Sequence, residues 1–389
     1  MRVTVRSEAL AAAARVVERV ADAVRGDAAT VAGALARAGS PVAWRGGVLV
    51  LDPSTWGSWA RVETRVLAVA GPTGLWGHAL ALDTLAGGLR SAARAYEEVE
   101  GGVAAVLTGV SGAADAASRY GWFVDGAGAP SVRAVPPTAT WSRVGSAADL
   151  LAAGDGLDGG RVRVIETAAL GGGSAWVVVV PGTQEWSGRA GSNPFDLTTD
   201  VRAVTGAATV AAAGVDAALV LARSGSARSR PDDPVLLVGH SQGGILAAAL
   251  AGDAGFARRH RVTHVVTSGA PVGLFPVPPS VRVLSVQHAD DPVHRLDLTP
   301  NPAGASWVTV EAPPSGRAPL DPRRHALEAH VRTLRAVEEA PRGTLPQVED
   351  WRAGAGSFVG VAVLSVSEIV VERPGPAAPG ARLPVDRPP

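Results

Sequence analysis

The stretch that decides the fold is residues 235–250, which read Val-Leu-Leu-Val-Gly-His-Ser-Gln-Gly-Gly-Ile-Leu-Ala-Ala-Ala-Leu. The four apolar residues at its start have the character of a short buried strand, and its Ala/Leu-rich end has that of a helix. Gly239-His240-Ser241-Gln242-Gly243 joins the two and has the pattern G-x-S-x-G. Small residues on either side of the serine allow a sharp strand-to-helix turn that lifts its hydroxyl out of the sheet. We therefore predict that Ser241 is an exposed nucleophile.

The pentapeptide by itself is a short pattern. In a chain with 47 glycines it arises by chance on the order of a few tenths of a time, so a Gly-rich turn without chemistry is the alternative interpretation. The strand before it and the helix after it make the match specific, because a serine nucleophile of this kind requires that context.

The composition excludes several classes of protein. The 389 residues carry 36 basic and 36 acidic side chains, whereas a nucleic-acid-binding protein would show a basic patch or stripe. No apolar run of about 18 residues or more occurs, so no membrane span is expected. The absence of cysteine excludes disulfides, thiolate metal sites and a cysteine nucleophile.

The N-terminus, Met1-Arg2-Val3-Thr4-Val5-Arg6, lacks the uninterrupted apolar core of a cleavable secretory signal. The default expectation is a cytoplasmic protein, with export by another route left open.

The first part of the chain, residues 1–125, is predicted to form an all-helical N-terminal domain. Residues 7–37 and 60–97 are Ala-rich with apolar residues at helical spacing, and a third helical stretch covers 102–119. Gly71-Pro72-Thr73-Gly74 should interrupt the second stretch, because proline lacks the N–H that a helix interior needs.

From residue 140 to residue 372 the pattern alternates between strands and helices. Predicted strands are 161–167, 174–180, 235–238, 262–267, 281–286, 307–311 and 358–371, and predicted helices lie near 146–153, 198–222 and 322–340. This alternation indicates an α/β fold with a mostly parallel sheet covered on both faces. Residues 373–389 are Pro-rich and are predicted to be disordered.

A serine hydroxyl is a poor nucleophile at neutral pH and needs a histidine base that a carboxylate orients. With this type of turn, the order along the chain is serine, acid, histidine. Asp290 and Asp291 follow the predicted strand 281–286, at the edge where reacting groups gather in open α/β sheets. Either aspartate could supply the carboxylate.

Three histidines follow that loop in the sequence: His294, His325 and His330. His294 lies too close to the aspartates to have crossed to the next connection. His325 lies where a loop enters the last predicted helix, and His330 lies about one turn further along. His325 is the preferred base, and His330 is the alternative.

Catalysis by such a serine also needs donors for the oxyanion that develops on the substrate. One should be the backbone N–H of Gln242, the residue after the nucleophile. The other should come from the loop after an earlier strand, and Val180-Pro181-Gly182-Thr183-Gln184 occupies that place. We expect the N–H of Thr183 to be this donor, alone or with that of Gln184.

Region 140–345 resembles the α/β-hydrolase superfamily, and within it lipases and esterases of actinobacterial type. Pro181-Gly182-Thr183-Gln184 looks like the oxyanion loop of that branch, and Thr267-Ser268-Gly269-Ala270-Pro271-Val272-Gly273 is similar to its Gly-x-Pro segment. Asp291-Pro292-Val293 with Leu296 resembles its acid loop, and His325, five residues before His330, resembles its histidine segment. The resemblance implies an α/β-hydrolase fold, ester hydrolysis, and Asp291 rather than Asp290 as the acid.

The chain departs from that branch in ways that bear on the substrate. The insert between the strand 281–286 and His325 is short and Pro-rich, and aromatic residues make up 4% of the chain. A lipase cap exposes a larger apolar surface, so a small or soluble acyl ester is expected rather than a long-chain triglyceride.

A second resemblance concerns the first 120 residues or so. A helix, then Trp44-Arg45-Gly46, then a helix that ends in Tyr96-Glu97-Glu98-Val99-Glu100, looks like a WXG-type helical hairpin. The resemblance implies a helical partner or type VII secretion machinery. The alternative interpretation is a helical bundle packed through its Leu, Val and Trp residues.

The predicted function is a serine esterase with Ser241, His325 and Asp291 as the catalytic residues, and no metal or organic cofactor is implied. The alternative is a non-catalytic scaffold with a binding or secretion-associated role, because a fold does not guarantee its usual activity. Thioesterase, amidase and acyltransferase activities share the acyl-serine step and remain open.

Overall fold

The structure is a computed structural model that describes residues 7–37, 42–45, 48–51, 61, 64–71, 74–98, several positions between 110 and 118, 121–126, 128–169, 172–314 and 322–374. Its internal contacts divide the chain into two compact units, Met1–Trp122 and Phe123–Pro389. Most of the predicted helix 102–119 lies outside the described residues, as does the predicted disordered tail from residue 375 onward.

The first unit contains two long antiparallel helices, α1 (Ser7–Arg37) and α2 (Leu75–Glu98). They pack against each other, and two ion pairs, Arg25 with Asp83 and Arg90 with Glu18, join them. Alanines at seven-residue spacing are buried on one face of each helix: Ala14, Ala21 and Ala28 on α1, and Ala79 and Ala86 on α2. Residues this far apart share a helix face, so their small side chains allow the backbones to approach closely.

A two-stranded antiparallel sheet in the same unit corrects the all-helical prediction. Its strands are β1 (Val42–Arg45) and β2 (Val48–Leu51). Both are rich in β-branched and aromatic or large apolar residues, and Gly46-Gly47 between them is a dipeptide typical of two-residue hairpin loops. Trp44 of the Trp-Arg-Gly segment therefore lies in a strand rather than in a helix-to-helix turn. The predicted helix break is present, because the helical residues 64–70 end before Gly71 and α2 begins at Leu75.

The second unit is built on a nine-stranded sheet with strand order β10-β9-β8-β7-β6-β5-β11-β3, in which β4 also pairs with β11. The strands are β3 (Ser131–Val135), β4 (Arg143–Val144), β5 (Arg161–Ala168), β6 (Ser174–Val180), β7 (Val235–His240), β8 (Val262–Ser268), β9 (Arg282–His288), β10 (Trp307–Ala312) and β11 (Val361–Glu372). Strands β6 to β10 are parallel, which confirms the predicted α/β class with a mostly parallel sheet.

Helices cover both faces of this sheet. They are α3 (Ala147–Ala152), α4 (Leu197–Val204), α5 (Val210–Ser224), α6 (Gln242–Gly252), α7 (Ala254–Arg259), α8 (Leu327–Glu338) and α9 (Pro346–Gly354). Strand β6 is buried along its whole length, and its side chains alternate between two apolar clusters. One cluster includes side chains of α5, α6 and α7, and the other includes side chains of α3, α8 and α9. The alternation follows from the two-residue period of a strand.

The other half of the sheet is antiparallel and extends beyond the predicted region, since β3 lies before residue 140. A buried ion-pair network crosses it. Glu368 on β11 accepts hydrogen bonds from Arg163 at 2.7 Å, from Arg161 at 2.9 Å and from the hydroxyl of Thr138 at 2.7 Å. These bonds satisfy a carboxylate that has no exposed side-chain surface.

The start of the predicted disordered tail is ordered, which corrects that boundary. Arg373 is buried and pairs with Asp125 at 2.8 Å and with Asp196 at 3.0 Å. Because Arg373 satisfies two buried carboxylates, it holds the chain in place directly after β11. The Pro-rich composition of the following residues does not predict this contact. Among the helices that the structure describes, none is both long and apolar enough to cross a membrane.

Candidate active site

Ser241 lies at a strained turn between the end of β7 and the start of α6. Its backbone has φ 54° and ψ −125°. A positive φ is unusual for a residue with a side chain, and such strain costs on the order of 1–3 kcal/mol. Here the strain accompanies the strand-to-helix turn that the G-x-S-x-G pattern predicts.

The glycines on either side of Ser241 have a steric reason. A Cβ on Gly239 would lie 2.0 Å from the carbonyl carbon of Gly243, and a Cβ on Gly243 would lie 2.2 Å from the carbonyl oxygen of Val180. No side chain fits at either position, because backbone atoms already occupy the space. The end of β6 therefore passes directly against this turn.

His325 and Asp291 form a hydrogen-bonded pair. His325 Nδ1 lies 2.8 Å from Asp291 Oδ2, and the Asp291 side chain is fully buried beyond the end of β9. The other carboxylate oxygen, Oδ1, accepts a hydrogen bond of 3.0 Å from the backbone N–H of Val293. Burial favours the neutral carboxyl, but the hydrogen bond and charge of His325 outweigh it and lower the pKa of Asp291. Asp291 is thus an ionised acceptor that fixes the orientation of the imidazole.

This pair lies beside the Ser241 turn. The N–H of Ser241 donates to the carbonyl of Ser268 at 2.9 Å, and a Cβ on the next residue, Gly269, would lie 3.0 Å from His325 Cε1. The rings of His240 and His325 have centroids 4.6 Å apart. The turn after β7, the end of β8 and the loop that carries His325 therefore meet at one place.

The second nitrogen of His325, Nε2, is buried and has no hydrogen-bond partner within the described part of the chain, so it makes no hydrogen bond to the Ser241 hydroxyl. Nε2 of His330 is buried without a partner as well. The hydrogen bond of Nδ1 to Asp291 is therefore what distinguishes His325 from His330. With Nδ1 held by Asp291, Nε2 is the nitrogen that can exchange a proton with a hydroxyl.

His330, the alternative base, has a different environment. It is fully buried on α8, its ring stacks on that of His288 at 4.2 Å, and its Nδ1 lies 3.1 Å from the carbonyl oxygen of Ala326. Its Nε2 is 3.6 Å from Asp291 Oδ2. Burial lowers the pKa of His330 to about 4, and the neighbouring His288 adds to this effect. His330 thus packs behind Asp291 as a neutral side chain.

Asp290, the alternative acid, faces another partner. Its Oδ2 lies 3.7 Å from Arg324 Nε, and its backbone carbonyl accepts a hydrogen bond of 3.0 Å from the same guanidinium. Of the two neighbouring aspartates, Asp291 is the one hydrogen-bonded to the imidazole of His325.

The loop after β6 runs beside the Ser241 turn, as predicted. A Cβ on Gly182 would lie 3.7 Å from Ser241 Cβ. The N–H of Gln184 donates to the carbonyl of Phe195 at 2.8 Å, so this N–H is already used and the suggestion that it joins Thr183 is wrong. Among the described residues, no backbone carbonyl accepts from the N–H of Thr183. Gln242 is the first residue of α6, and first-turn N–H groups have no partner inside their helix.

Sequence reasoning missed one carboxyl in this region, Asp200 on α4. The hydroxyl of Thr183 donates to Asp200 Oδ2 at 2.9 Å, and the side chain of Gln242 lies close to the same carboxyl. Burial raises the pKa of Asp200 to about 6, and the neighbouring side chains of Gln242 and Thr183 oppose that rise. Nothing in the local sequence distinguishes Asp200 from an ordinary acidic residue in the first turn of a helix.

Together these groups provide a hydroxyl on a strained turn, an imidazole oriented by a carboxylate, and two backbone N–H groups, one in the loop after β6 and one at the start of α6. Among the described residues, no group of three or more His, Asp or Glu side chains is arranged to hold a metal ion.

A scan of protein-family models found no family that matches this chain, and searches of curated proteins and of solved structures found no significant similarity.

Proposed function

We propose that this protein is a serine hydrolase of carboxylic esters with an α/β-hydrolase fold. The observation that carries the proposal is that Ser241, on a turn with φ 54°, shares one edge of the parallel strands with the hydrogen-bonded pair His325 and Asp291. Structural ion pairs of histidine and aspartate are common, but a strained serine beside them is not explained by packing.

In the proposed reaction, the hydroxyl oxygen of Ser241 attacks the acyl carbon of the ester, and His325 Nε2 takes the hydroxyl proton. Asp291 holds Nδ1 and stabilises the imidazolium that forms. The tetrahedral intermediate collapses as Nε2 gives the proton to the leaving alcohol, which leaves an acyl group on Ser241. Water, deprotonated by the same nitrogen, then releases the acid and restores the serine.

The negative charge that develops on the substrate oxygen needs donors that are already in place. The backbone N–H groups of Thr183 and Gln242 fit this role, because Thr183 lies in the loop beside the Ser241 turn and Gln242 is the first residue of α6. Each such donor contributes about 10²- to 10³-fold to the rate of the chemical step.

The expected substrate is an ester with a short acyl chain. The insert before His325 is short and Pro-rich, and the chain has few aromatic residues, so a large apolar surface for a long acyl chain is not expected. Thioesters, amides and acyl transfer use the same acyl-serine intermediate, so a substrate panel has to include them.

The test is hydrolysis of p-nitrophenyl esters of increasing chain length by the full chain and by Ser241→Ala. We expect turnover of acetate and butyrate esters by the wild type and its loss in the variant, with an unchanged melting temperature. Turnover that survives in Ser241→Ala would contradict the proposal, as would a wild type that hydrolyses neither esters nor thioesters.

A further inference from the structure

Two segments that lie far apart in sequence supply the proposed oxyanion donors, and the side chains of both approach the start of α4. Thr183 follows β6, whereas Gln242 follows Ser241 at the start of α6. The hydroxyl of Thr183 donates to Asp200 Oδ2 at 2.9 Å, and the Gln242 side chain lies close to the same carboxyl. Asp200 therefore binds one donor residue and lies beside the other.

The Gln242 side chain binds the N-cap of α4. Gln242 is fully buried, and its Nε2 donates to the backbone carbonyl of Asp196 at 2.7 Å. Asp196 is the N-cap of α4, is itself fully buried and pairs with Arg373 at 3.0 Å. The first turn of α4 is thus fixed to the body of the sheet, and Asp200 projects from that turn.

We infer that Asp200 is a positioning residue that holds the N–H group of Thr183, beside that of Gln242, in the geometry needed to bind the oxyanion. This inference rests on the proposed function, because it concerns the same site. Asp200 acts through the side chain of Thr183 and does not touch the substrate. A donor displaced by a fraction of an ångström binds the developing charge less well, while ground-state binding of the ester changes little.

The surroundings of Asp200 agree with a structural carboxyl rather than a solvated one. Burial raises its pKa to about 6, and the charged or titratable groups that act on it are Asp196 and His325. The side chain of Asp200 is half-buried and accepts from the Thr183 hydroxyl, so removing the carboxyl leaves that hydroxyl without its acceptor.

The experiment compares Asp200→Ala with Asp200→Asn, which keeps an acceptor oxygen of the same shape. With p-nitrophenyl butyrate as the probe, we expect Asp200→Ala to lower kcat about 10- to 100-fold with KM within about threefold of the wild type. Asp200→Asn should recover most of that loss. Equal losses in the two variants, or a loss confined to KM, would overturn the inference.

Two further variants approach the contact from the other side. Thr183→Val removes the hydroxyl that donates to Asp200, and Thr183→Ser keeps it. We expect Thr183→Val to lower kcat about as much as Asp200→Ala does, and Thr183→Ser to lower it less. The double variant Thr183→Val/Asp200→Ala should have a kcat no lower than that of the less active single variant. Additive losses in the double variant would contradict a shared role.

A matched control separates positioning from loss of stability. Asp253→Ala removes the N-cap of α7, where Asp253 accepts from the N–H of Phe256 at 2.6 Å, at the far end of α6 from Ser241. It should lower the melting temperature without lowering kcat. If Asp253→Ala lowers kcat as much as Asp200→Ala at an equal melting temperature, the inference fails. If the wild type shows no Ser241-dependent turnover, the proposed function fails and the role of Asp200 fails with it.

Discussion

His325 and Asp291, 34 residues apart in the sequence, are joined by a hydrogen bond of 2.8 Å between Nδ1 and Oδ2. The histidine is partly exposed, with a quarter of its side-chain surface accessible, whereas the aspartate has none. A buried, ionised acceptor behind an accessible imidazole fixes the ring tautomer with its proton on Nδ1.

Replacing this acceptor should abolish most of the activity. Asp291→Asn can donate to His325 Nδ1 and so favours the wrong tautomer, with the proton on Nε2. We expect kcat for a p-nitrophenyl ester to fall about 10³- to 10⁴-fold. The matched control is Asp290→Asn, since Asp290 faces Arg324 instead of the imidazole. A similar fall in both variants would show that the Asp291 contact has no special role.

The two late histidines should separate in the same assay. His325→Gln removes the nitrogen that takes the serine proton, so turnover should fall at least about 10³-fold. His330→Gln alters a buried ring stacked on His288 and should mainly lower the melting temperature. The reverse pattern, with His330→Gln inactive and His325→Gln active, would assign the base to His330.

Gly269 should tolerate no side chain. Its φ is +55°, and a Cβ there would lie 3.0 Å from His325 Cε1 and 3.1 Å from Asp291 Oδ2. Gly269→Ala should therefore displace the pair and lower kcat, in addition to a backbone strain of about 1–2 kcal/mol. Gly343→Ala is the control, because Gly343 has φ +84° with open space around the added Cβ. It should cost stability without loss of kcat, and equal kcat in the two variants would contradict the steric argument.

Three buried histidines should make stability depend on pH in the weakly acidic range. Burial lowers the pKa of His264, His294 and His330 to about 4, against an ordinary value of 6.5. Between these values the unfolded chain binds more protons than the folded chain, so the free energy of unfolding falls as pH drops from 6.5 to 4. Each histidine contributes roughly 3 kcal/mol to this fall.

His264→Phe isolates one of these contributions. The ring packs edge-on against Trp351 and Phe358, so phenylalanine preserves the aromatic contacts and removes the titration. Asp200 and Asp297, whose pKa burial raises to about 6, act in the opposite direction and remain in both proteins. Urea unfolding at pH 7 and pH 5 should show a smaller loss of stability in the variant, and parallel losses would contradict the assignment.

The ion pair across the antiparallel half of the sheet should be costly to break. Burial by itself raises the pKa of Glu368, but the hydrogen bonds from Thr138, Arg163 and Arg161 outweigh it and lower the pKa to about 2. Glu368→Gln leaves Arg163 buried without its counter-charge and should destabilise the fold by about 3–5 kcal/mol. Glu328→Gln, which breaks the exposed pair with Arg332, is the control and should cost less than about 1 kcal/mol. Equal denaturation midpoints for the two variants would refute this.

The parallel half of the sheet could be predicted from the sequence because each of its elements carries a local signal. Apolar runs without alternation identify buried strands such as β6, and the steric needs of a tight turn identify Gly239 and Gly243. The Ser146 side chain accepts from the N–H of Asp149 at the start of α3, a local capping contact that serine favours. The order of the strands predicts that the loops of the aspartates and of the late histidines meet at one edge, whereas the residues alone leave Asp290 and His330 as alternatives to Asp291 and His325.

The antiparallel half and the Asp200 contact could not be predicted in the same way. Strand β11 pairs with β3 and β5, which lie some 200 residues earlier, and no local pattern encodes such partners. Strand β3 is a short run with mostly exposed residues, so its apolar signal is weak. Asp200 gains its environment from Thr183 and Gln242 on other elements, and that environment exists only in the folded chain.

The most direct test of the central claim is covalent labelling by a fluorophosphonate, followed by peptide mass spectrometry. The wild type should gain one phosphonyl group on the peptide that contains Ser241, Ser241→Ala should gain none, and His325→Gln should react far more slowly. A wild type that stays unmodified, or that carries the label on another serine, would contradict the account.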